Sequence, residues 1–315
     1  MGQYADNLLY LFTFSLIQLP NIDIVVHRVN VFLLEWWKAM EGQVLAIFSE
    51  DSEVEQTLSL ERDRYLDAHR FGSTPYFPFV MGIEYFLRQF RKNHPAILIT
   101  DYGVESPLLF RRDREKVVKI SKKKMCPNCY QFSIGDLSEA VFIGGKIEQR
   151  KSLRQNDRNN IQMAEEVMHR FDQSLYSEVL PHGPHFHNSF DIVSINESEV
   201  CAKQYGFLND LFYIEKLKSA DLAINPALMD GLLQLCAIHS IKFEKRFILP
   251  TAVKSCFINL ELMKKASMAY VICRKVGECC YDIVVSNDTG KIFVEMKGMR
   301  FSPIARSVPD LAIGV

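Results

Sequence analysis

The sequence predicts an α+β fold made of two similar halves, each with one helix beside antiparallel strands. In the first half a helical pattern spans residues 79–90, and strand-like runs follow it. The same order recurs after residue 160, where a helical pattern begins at Pro226 and further strands follow. The two halves share no evident sequence identity, so the repeat is one of pattern alone.

The first 45 residues predict a smaller element ahead of these halves. An apolar run over residues 8–19 is shorter than the roughly 20 residues of a membrane-spanning helix, and Pro20 ends it. Asp6 stands where a secretory leader carries basic residues, so no signal sequence is expected. We expect a buried helix, a strand over residues 23–31 and an aromatic segment.

Two polar segments predict the domain boundaries. Residues 49–56 and 150–160 carry charged and amide side chains with few apolar ones, as is typical of linkers. The expected organisation is an N-terminal extension over 1–45, a first half over 47–150 and a second half over 161–305.

Both helical patterns carry recognisable signals. The first places Phe79, Ile83 and Phe86 on one face, which is typical of a helix that buries one side. The second starts with Asn225, a favourable N-cap, and Pro226 at the first helical position, and it continues to about residue 241.

Three strands are expected to follow the second helix, over residues 269–274, 281–285 and 291–300. The last of these alternates apolar with charged side chains, which predicts one buried and one exposed face. Residues 287–290, Asn-Asp-Thr-Gly, predict a hairpin turn before it.

Composition excludes several functional classes. The chain has 315 residues, of which 48% are hydrophobic and 24% charged, and a formal net charge of -1, so it can bury a large core. Lysine and arginine are spread along the sequence, so neither a nucleic acid nor an anionic membrane is an expected partner. The eight irregularly spaced cysteines indicate free thiols and a cytoplasmic location.

Two side chains are candidates for acid–base chemistry. His69 precedes a Gly-Ser-Thr-Pro turn that opens into the first helix, and Asp230 lies one helical turn before Gln234 on the same face. Taken alone, His69 fits a structural histidine. Asp230 beside an apolar stripe fits either a solvated helix residue or a buried acid with a raised pKa.

Metal binding is not expected. Cys126-Pro-Asn-Cys129 has the spacing of half a zinc site, but no second pair follows it, so a loop between strands is favoured. His182, His185 and His187 could bind a metal in principle, yet the Gly-Pro within this segment favours a structural turn.

Four motifs together resemble the dehydratase domains of polyketide and polyunsaturated fatty-acid synthases. In chain order they are His69 followed by Pro78, which is similar to His-x3-Gly-x4-Pro; His182-Gly-Pro-His-Phe186, similar to Tyr-Gly-Pro-x-Phe; Asn225-Pro-Ala-Leu-Met-Asp230-Gly-Leu-Leu-Gln234, similar to Asp-Pro-x-Leu-Leu-Asp-x3-Gln; and Ile248-Leu-Pro250. The resemblance covers about residues 47–305 and implies a double hot-dog fold, in agreement with the two halves above.

The resemblance implies a reaction, namely loss of water from a 3-hydroxyacyl thioester. It assigns His69 as the base for the C2 proton and protonated Asp230 as the acid for the C3 hydroxyl, oriented by Gln234. The two must then lie within about 10 Å of each other, because both must reach one substrate. Further residues are expected to bind or orient the substrate: Val80, Met81 and Gly82 through backbone N–H groups, and Pro78, Gly183 and Pro184.

The resemblance also implies the partners. The substrate arrives on the phosphopantetheine arm of an acyl carrier protein, no cofactor or metal takes part, and other synthase domains are expected neighbours. Homodimerisation is left open.

Several positions depart from the family pattern. Gly72 comes one place early and Ser73 occupies the family's glycine position; Ala68 replaces an aspartate, and His182 replaces a tyrosine. Residues 1–45 resemble the end of a synthase ketoreductase but lack its glycine loop, so no reductase activity is expected.

Two alternatives to the dehydratase remain open at this stage. One is a related product-template cyclase, which uses a similar pair on longer polyketones. The other is a catalytically inert synthase remnant that serves as a packing or docking module.

Overall fold

The computed structural model describes the part of the chain that carries the predicted motifs. It covers residues 51–89, 95–138, 140–150, 166–171, 175–176, 179–180, 182–205 and 222–305. All of these belong to one compact unit, Glu50–Val315. The helix, strand and ketoreductase-like segment predicted for residues 1–45 lie outside the described residues.

Within the described residues, twelve strands form one antiparallel sheet in the order β1-β5-β6-β7-β4-β11-β14-β13-β12-β10-β9-β8, with the bounds given below. A separate two-residue hairpin is formed by β2 and β3. The strands of the first half are β1 (Ser52–Ser59), β2 (Arg70–Phe71), β3 (Thr74–Pro75), β4 (Ala96–Val104), β5 (Glu115–Cys126), β6 (Cys129–Gly135) and β7 (Val141–Arg150). Those of the second half are β8 (His169–Phe171), β9 (Ser189–Ile195), β10 (Glu199–Tyr205), β11 (Phe247–Asn259), β12 (Ala269–Gly277), β13 (Cys280–Ser286) and β14 (Ile292–Ile304).

The two halves have the same connectivity. Apart from the β2–β3 hairpin and the edge strands β8 and β9, each half has one strand before its long helix and four strands after it. If these five are numbered in chain order, the first strand lies next to the third, followed across the sheet by the fourth, fifth and second. The first half runs from β1 to β7 in this order, and the second from β10 to β14, with β8 and β9 added at its edge. This repeat confirms the predicted α+β double hot-dog fold, while the exact domain bounds stay a prediction.

The halves join through their equivalent strands β4 and β11. These pair antiparallel from Ala96 opposite Asn259 to Gly103 opposite Ala252. Backbone hydrogen bonds therefore make the two halves a single sheet.

Four α-helices are described, and two of them form the centre of the molecule. These two, α2 (Phe79–Arg88) and α3 (Pro226–Glu244), pack on each other, while α1 (Arg64–Asp67) and α4 (Leu260–Lys265) are short. Residues 79–87 are all buried. The predicted end of α2 at residue 90 falls outside the described residues, and α3 extends slightly beyond the predicted residue 241.

The N-cap of α3 and the turn before β14 form where the sequence predicts them. The Asn225 side chain accepts a 2.9 Å hydrogen bond from the backbone N–H of Leu228, so it is the N-cap of α3. In the turn before β14, the Asn287 side chain accepts from the N–H groups of Thr289 and Lys291, and Gly290 has a φ of 75°.

The predicted linker over residues 49–56 is wrong in its second part, because β1 already begins at Ser52. Its polar residues alternate with partly buried ones, and β5 pairs with it along its whole length. The Lys119 ammonium lies 2.8 Å from the Glu53 carboxylate across this pair. Acidic side chains on the exposed face of an edge strand gave β1 the composition of a linker. Most of the second predicted linker lies outside the described residues.

The cysteines match their predicted state. All eight fall in the described part of the chain and are free thiols. Cys126 and Cys129 face each other across the tight turn between β5 and β6, which confirms the predicted loop between strands. Among the described helices, none has the length and apolar character that crossing a bilayer requires.

A buried carboxylate ties the two central helices together. Glu84 on α2 is fully buried, and Arg88 one turn later lies 2.7 Å from it. Its two oxygens also accept hydrogen bonds of 3.1 and 2.9 Å from the backbone N–H groups of Ala223 and Ile224, which lead into α3. The start of α3 is therefore fixed to the middle of α2.

We expect Glu84→Ala to lower the free energy of unfolding by about 3 kcal/mol, because it strands two buried N–H groups and one guanidinium. Glu84→Gln keeps an acceptor for one of the two N–H groups and should cost less. Urea unfolding followed by circular dichroism measures both. A change below about 0.5 kcal/mol for the alanine variant, within the ordinary range for surface substitutions, would show that this tie contributes nothing.

Candidate active site

His69 lies at the point where the short helix α1 gives way to β2. Its side chain is only 3% exposed. The hairpin of β2 and β3 returns the chain so that the Tyr76 N–H donates to the His69 carbonyl at 3.0 Å. The two rings lie 4.1 Å apart, and the Tyr76 hydroxyl is 3.5 Å from His69 Nε2. Desolvation raises the pKa of Tyr76, so its hydroxyl stays protonated.

The turn beside His69 accounts for the early glycine. Gly72 has a φ of 59°, a left-handed conformation that glycine adopts without steric cost. Ser73 follows it, and its carbonyl accepts a 2.6 Å hydrogen bond from the Arg70 guanidinium. The left-handed position of this two-residue turn is therefore residue 72, and serine is accommodated at residue 73.

A second segment crosses the chain at His69. His182 forms an isolated β-bridge with His69, and the Gly183 N–H donates to the Ala68 carbonyl at 2.7 Å. A Cβ at residue 183 would lie 2.8 Å from the Ala68 Cα, so only glycine allows this approach. Pro184 then starts a short 3-10 helix, Pro184–Phe186. Gly183 thus fixes the path of the His182 segment against Ala68, while contact of Gly183 and Pro184 with the substrate stays a prediction.

Asp230 projects from α3 and is 3% exposed. The Gln234 side-chain amide donates to Asp230 Oδ2 at 2.8 Å and to the Phe186 carbonyl at 2.9 Å. Its oxygen accepts a 2.7 Å hydrogen bond from the Tyr176 hydroxyl. Gln234 therefore holds one carboxylate oxygen in a fixed orientation.

The structure brings His69 and Asp230 together although 161 positions separate them. His69 Nε2 lies 3.8 Å from Asp230 Oδ1, well inside the expected 10 Å. His182 Nε2 lies 3.4 Å from the other oxygen, Oδ2. The carboxylate therefore faces two imidazoles, of which the sequence predicted one.

These two imidazoles change the protonation of Asp230. Burial disfavours the charged carboxylate, but the interactions with His69, His182 and Gln234 outweigh burial and hold the pKa of Asp230 below its usual value. From the sequence, a raised pKa is one of two possibilities for Asp230. In the structure, the pKa of Asp230 is lowered instead.

Sequence reasoning missed the polar residues that support Gln234. The Asn188 N–H donates to the Tyr176 hydroxyl at 2.6 Å, and the Gln204 amide donates to Asn188 Oδ1 at 3.1 Å. A side chain at Gly231 would collide with the Gln204 amide. These residues come from separate segments and follow no common spacing, so no sequence signal could have found the network.

The N-terminus of α2 differs in one respect from the prediction. The Met81 N–H donates to the Pro78 carbonyl at 3.0 Å, so Met81 is engaged within the helix. Gly82 has a packing role, because a Cβ there would collide with the Tyr102 hydroxyl, which donates to the Phe79 carbonyl. No side chain caps this end of α2. Val80 stays the predicted donor.

The two other histidines of this segment, His185 and His187, are not part of the group formed by His69, His182 and Asp230. His187 stacks on Tyr176, with ring centroids 3.9 Å apart, and its Nε2 lies 3.0 Å from the His182 carbonyl. It stabilises the path of the segment. Only His182 of the three faces Asp230.

A family model matches the part of the chain that contributes His182 and Asp230 to this site. The family model described as the polyketide synthase dehydratase N-terminal domain matches residues 154–310, which include His182 and Asp230. The chain belongs to the polyketide synthase dehydratase family. Members remove water from 3-hydroxyacyl intermediates held on a carrier protein, which makes this chain a hydro-lyase. No curated relative matches the chain.

Solved dehydratase structures share the fold. The dehydratase domain from the CurF module of the curacin polyketide synthase is 17% identical, with a TM-score of 0.65 over 82% of this chain and 95% of that one. The corresponding domain from the CurK module is 15% identical, with a TM-score of 0.64 over 82% of this chain and 94% of that one. A monomeric dehydratase domain from a trans AT polyketide synthase split module is 13% identical, with a TM-score of 0.66 over 81% of this chain and 99% of that one.

We expect Gly183→Ala to reduce dehydration about 10²-fold, because its Cβ must push the His182 segment away from Ala68, and shifts of about 1 Å can cost that much. Gly277→Ala is the matched control, since its Cβ would meet only the Cys280 Cβ at 3.5 Å. Rates measured with a 3-hydroxyacyl carrier protein test both variants. Equal rates for Gly183→Ala and wild type would show that the crossing tolerates a side chain.

Proposed function

We propose that His69 and Asp230 catalyse the dehydration in this chain, giving a 2-enoyl thioester. The observation that carries the proposal is the 3.8 Å approach of His69 Nε2 to Asp230 Oδ1 in a buried site. Each group lies within reach of one substrate carbon or its hydroxyl, which acid–base catalysis requires.

In the proposed reaction, His69 as neutral imidazole takes the C2 proton of the substrate. Asp230 gives a proton to the C3 hydroxyl, the C3–O bond breaks, the C2–C3 double bond forms and water leaves. The cluster gains one proton and loses one. The proton that His69 has taken then returns through the Asp230 carboxylate to the group that supplied it, which restores the starting state.

The proton that Asp230 delivers has a nearby source. Because two imidazoles hold the pKa of Asp230 low, the carboxylate is ionised in the ligand-free site. A proton on His182 can pass to Oδ2, which lies 3.4 Å away. Gln234 keeps that oxygen in place. In this proposal Asp230 is the acid, His182 passes a proton to it, and His69 is the base.

Two further groups support the reaction. The Tyr76 hydroxyl, 3.5 Å from His69 Nε2, limits the rotation of the imidazole. The backbone N–H of Val80, in the first turn of α2, stabilises the negative charge that develops on the thioester carbonyl oxygen. Pro78, the N-cap residue, offers no side-chain acceptor to this first turn.

Similar proteins support the assignment of the pair. Two structures of the CurK dehydratase are described as inactive mutants, one with a histidine replaced by phenylalanine and one with an aspartate replaced by asparagine. A histidine and an aspartate are the two residue types that we assign in this chain.

The proposed reaction needs no cofactor, because every proton moves between side chains of this chain and the substrate. The substrate is held on the phosphopantetheine of an acyl carrier protein, and the other domains of a synthase are the expected partners. Both catalytic groups come from one chain, so the site does not require a homodimer. The free thiols support a cytoplasmic location.

We expect His69→Ala and Asp230→Asn each to lower turnover by about two or more orders of magnitude, because proton transfer contributes roughly 10²–10⁴-fold. The double variant should be little slower than either single one, since the two groups act as a unit. Mass loss of one water from a 3-hydroxyacyl carrier protein measures turnover, and thermal unfolding checks that each variant is folded. Wild type without water loss at any chain length would favour the inert remnant, and ring closure of a polyketone would favour the cyclase.

We expect Ser73→Gly to leave turnover within about twofold of wild type. The left-handed position of the turn is Gly72, so a second glycine at residue 73 removes no strain. The same water-loss assay measures it. An increase of tenfold or more, on the order of 1.4 kcal/mol in the barrier, would show instead that serine distorts the site.

A further inference from the structure

His182 adds a third metal-ligating side chain to the catalytic pair. One ligand atom each from His69, His182 and Asp230 can be chosen so that all three lie within 4.8 Å of one another. Two imidazole nitrogens and one carboxylate oxygen are the ligand set of many catalytic zinc sites and of non-haem iron sites. In the family motif that this segment resembles, the position is a tyrosine, which has no imidazole to offer a metal.

The distances are close to those of a coordinated ion. Zinc binds imidazole nitrogen and carboxylate oxygen at about 2.0–2.2 Å, which puts neighbouring ligands of a tetrahedral ion about 3.3–3.5 Å apart. The His182 nitrogen lies 3.4 Å from Oδ2 of Asp230, and the His69 nitrogen lies 3.8 Å from Oδ1. These two distances end on different oxygens of the carboxylate. The three ligand atoms lie within 4.8 Å of one another, so their separations must shorten by up to about 1.3 Å around one ion.

The surroundings also suit a cation. Asp230 is ionised and nearly fully buried, and the side chains of His69 and His182 are 4% and 15% exposed. A buried negative charge is stabilised by a positive ion that replaces its water. Gln234 already orients the carboxylate, as outer partners of metal ligands do.

We propose that His69, His182 and Asp230 bind a divalent transition-metal ion such as Zn²⁺, and that the bound ion reversibly blocks dehydration. Three protein ligands leave the fourth tetrahedral position to water. The bound ion occupies the lone pair of His69 and an oxygen of Asp230, so neither group can transfer a proton. Metal binding stands on the geometry alone, whereas the block rests on the proposed function.

Calorimetric titration of the full chain with Zn²⁺ tests binding without any turnover. Cys126→Ser/Cys129→Ser is the background for every sample, because thiolates of this pair would also take zinc. We expect one ion per chain, and we expect Mg²⁺, which prefers oxygen ligands, to give no binding at the same concentrations.

Removal of a ligand should weaken binding. We expect His182→Tyr, which restores the family residue, to raise the Zn²⁺ dissociation constant by about 10²-fold, and Asp230→Asn to do so as well. His185→Ala is the control from the same segment and should bind as the background does. Thermal unfolding shows which variants are folded. No binding by the background, or equal binding by both folded ligand variants, overturns the metal site.

Water-loss assays with Zn²⁺ and then with excess chelator test the block. We expect saturating Zn²⁺ to lower the rate at least tenfold and the chelator to restore it. Each variant is compared with its own metal-free rate, and His182→Tyr should need about 10²-fold more Zn²⁺ for the same fractional loss. Stoichiometric binding with an unchanged or faster rate overturns the block. If the metal-free protein shows no activity, by contrast, the proposed function is contradicted. The calorimetric test of the metal site is still valid in that case, because it does not depend on turnover.

Discussion

β4 and β11 pair along most of their length, and every distance in the site follows from that pairing. His69 and Asp230 belong to different halves, and neither half alone contains both groups. Because the shared sheet fixes one half against the other, α2 and α3 pack at its centre. Glu84 adds a second link between the two helices through Ala223 and Ile224. The proposed catalytic pair is therefore a product of the repeat rather than of local structure.

Burying Asp230 as an anion is costly, and the polar groups around it offset that cost. The carboxylate contacts Gln234, and the amide of Gln234 is in turn held by Tyr176 and the Phe186 carbonyl. A fully bonded network of this kind fixes side chains that would otherwise rotate. The same network gives the chain its requirement for glycine at residue 231, where no other residue would fit.

His182 is the position at which this chain differs most from the motif of its family. As an imidazole within 3.4 Å of Asp230, it lowers the pKa of the carboxyl and offers a place for the proton. The same lone pair completes a set of three metal ligands. Proton supply and metal binding compete for this nitrogen, because it cannot hold a proton and an ion together.

The sequence alone determined the elements that depend on neighbouring residues: the apolar face of α2, the Asn225 cap of α3, the turn before β14 and the motifs of the family. Only the tertiary structure decided how those elements meet. It contains β1 where the composition indicated a linker, and it places His182 beside Asp230. It also shows the Met81 N–H donating to the Pro78 carbonyl. The physical reason is that helix and turn signals arise within a few residues, whereas a pKa or a distance across 161 positions depends on every strand that separates them.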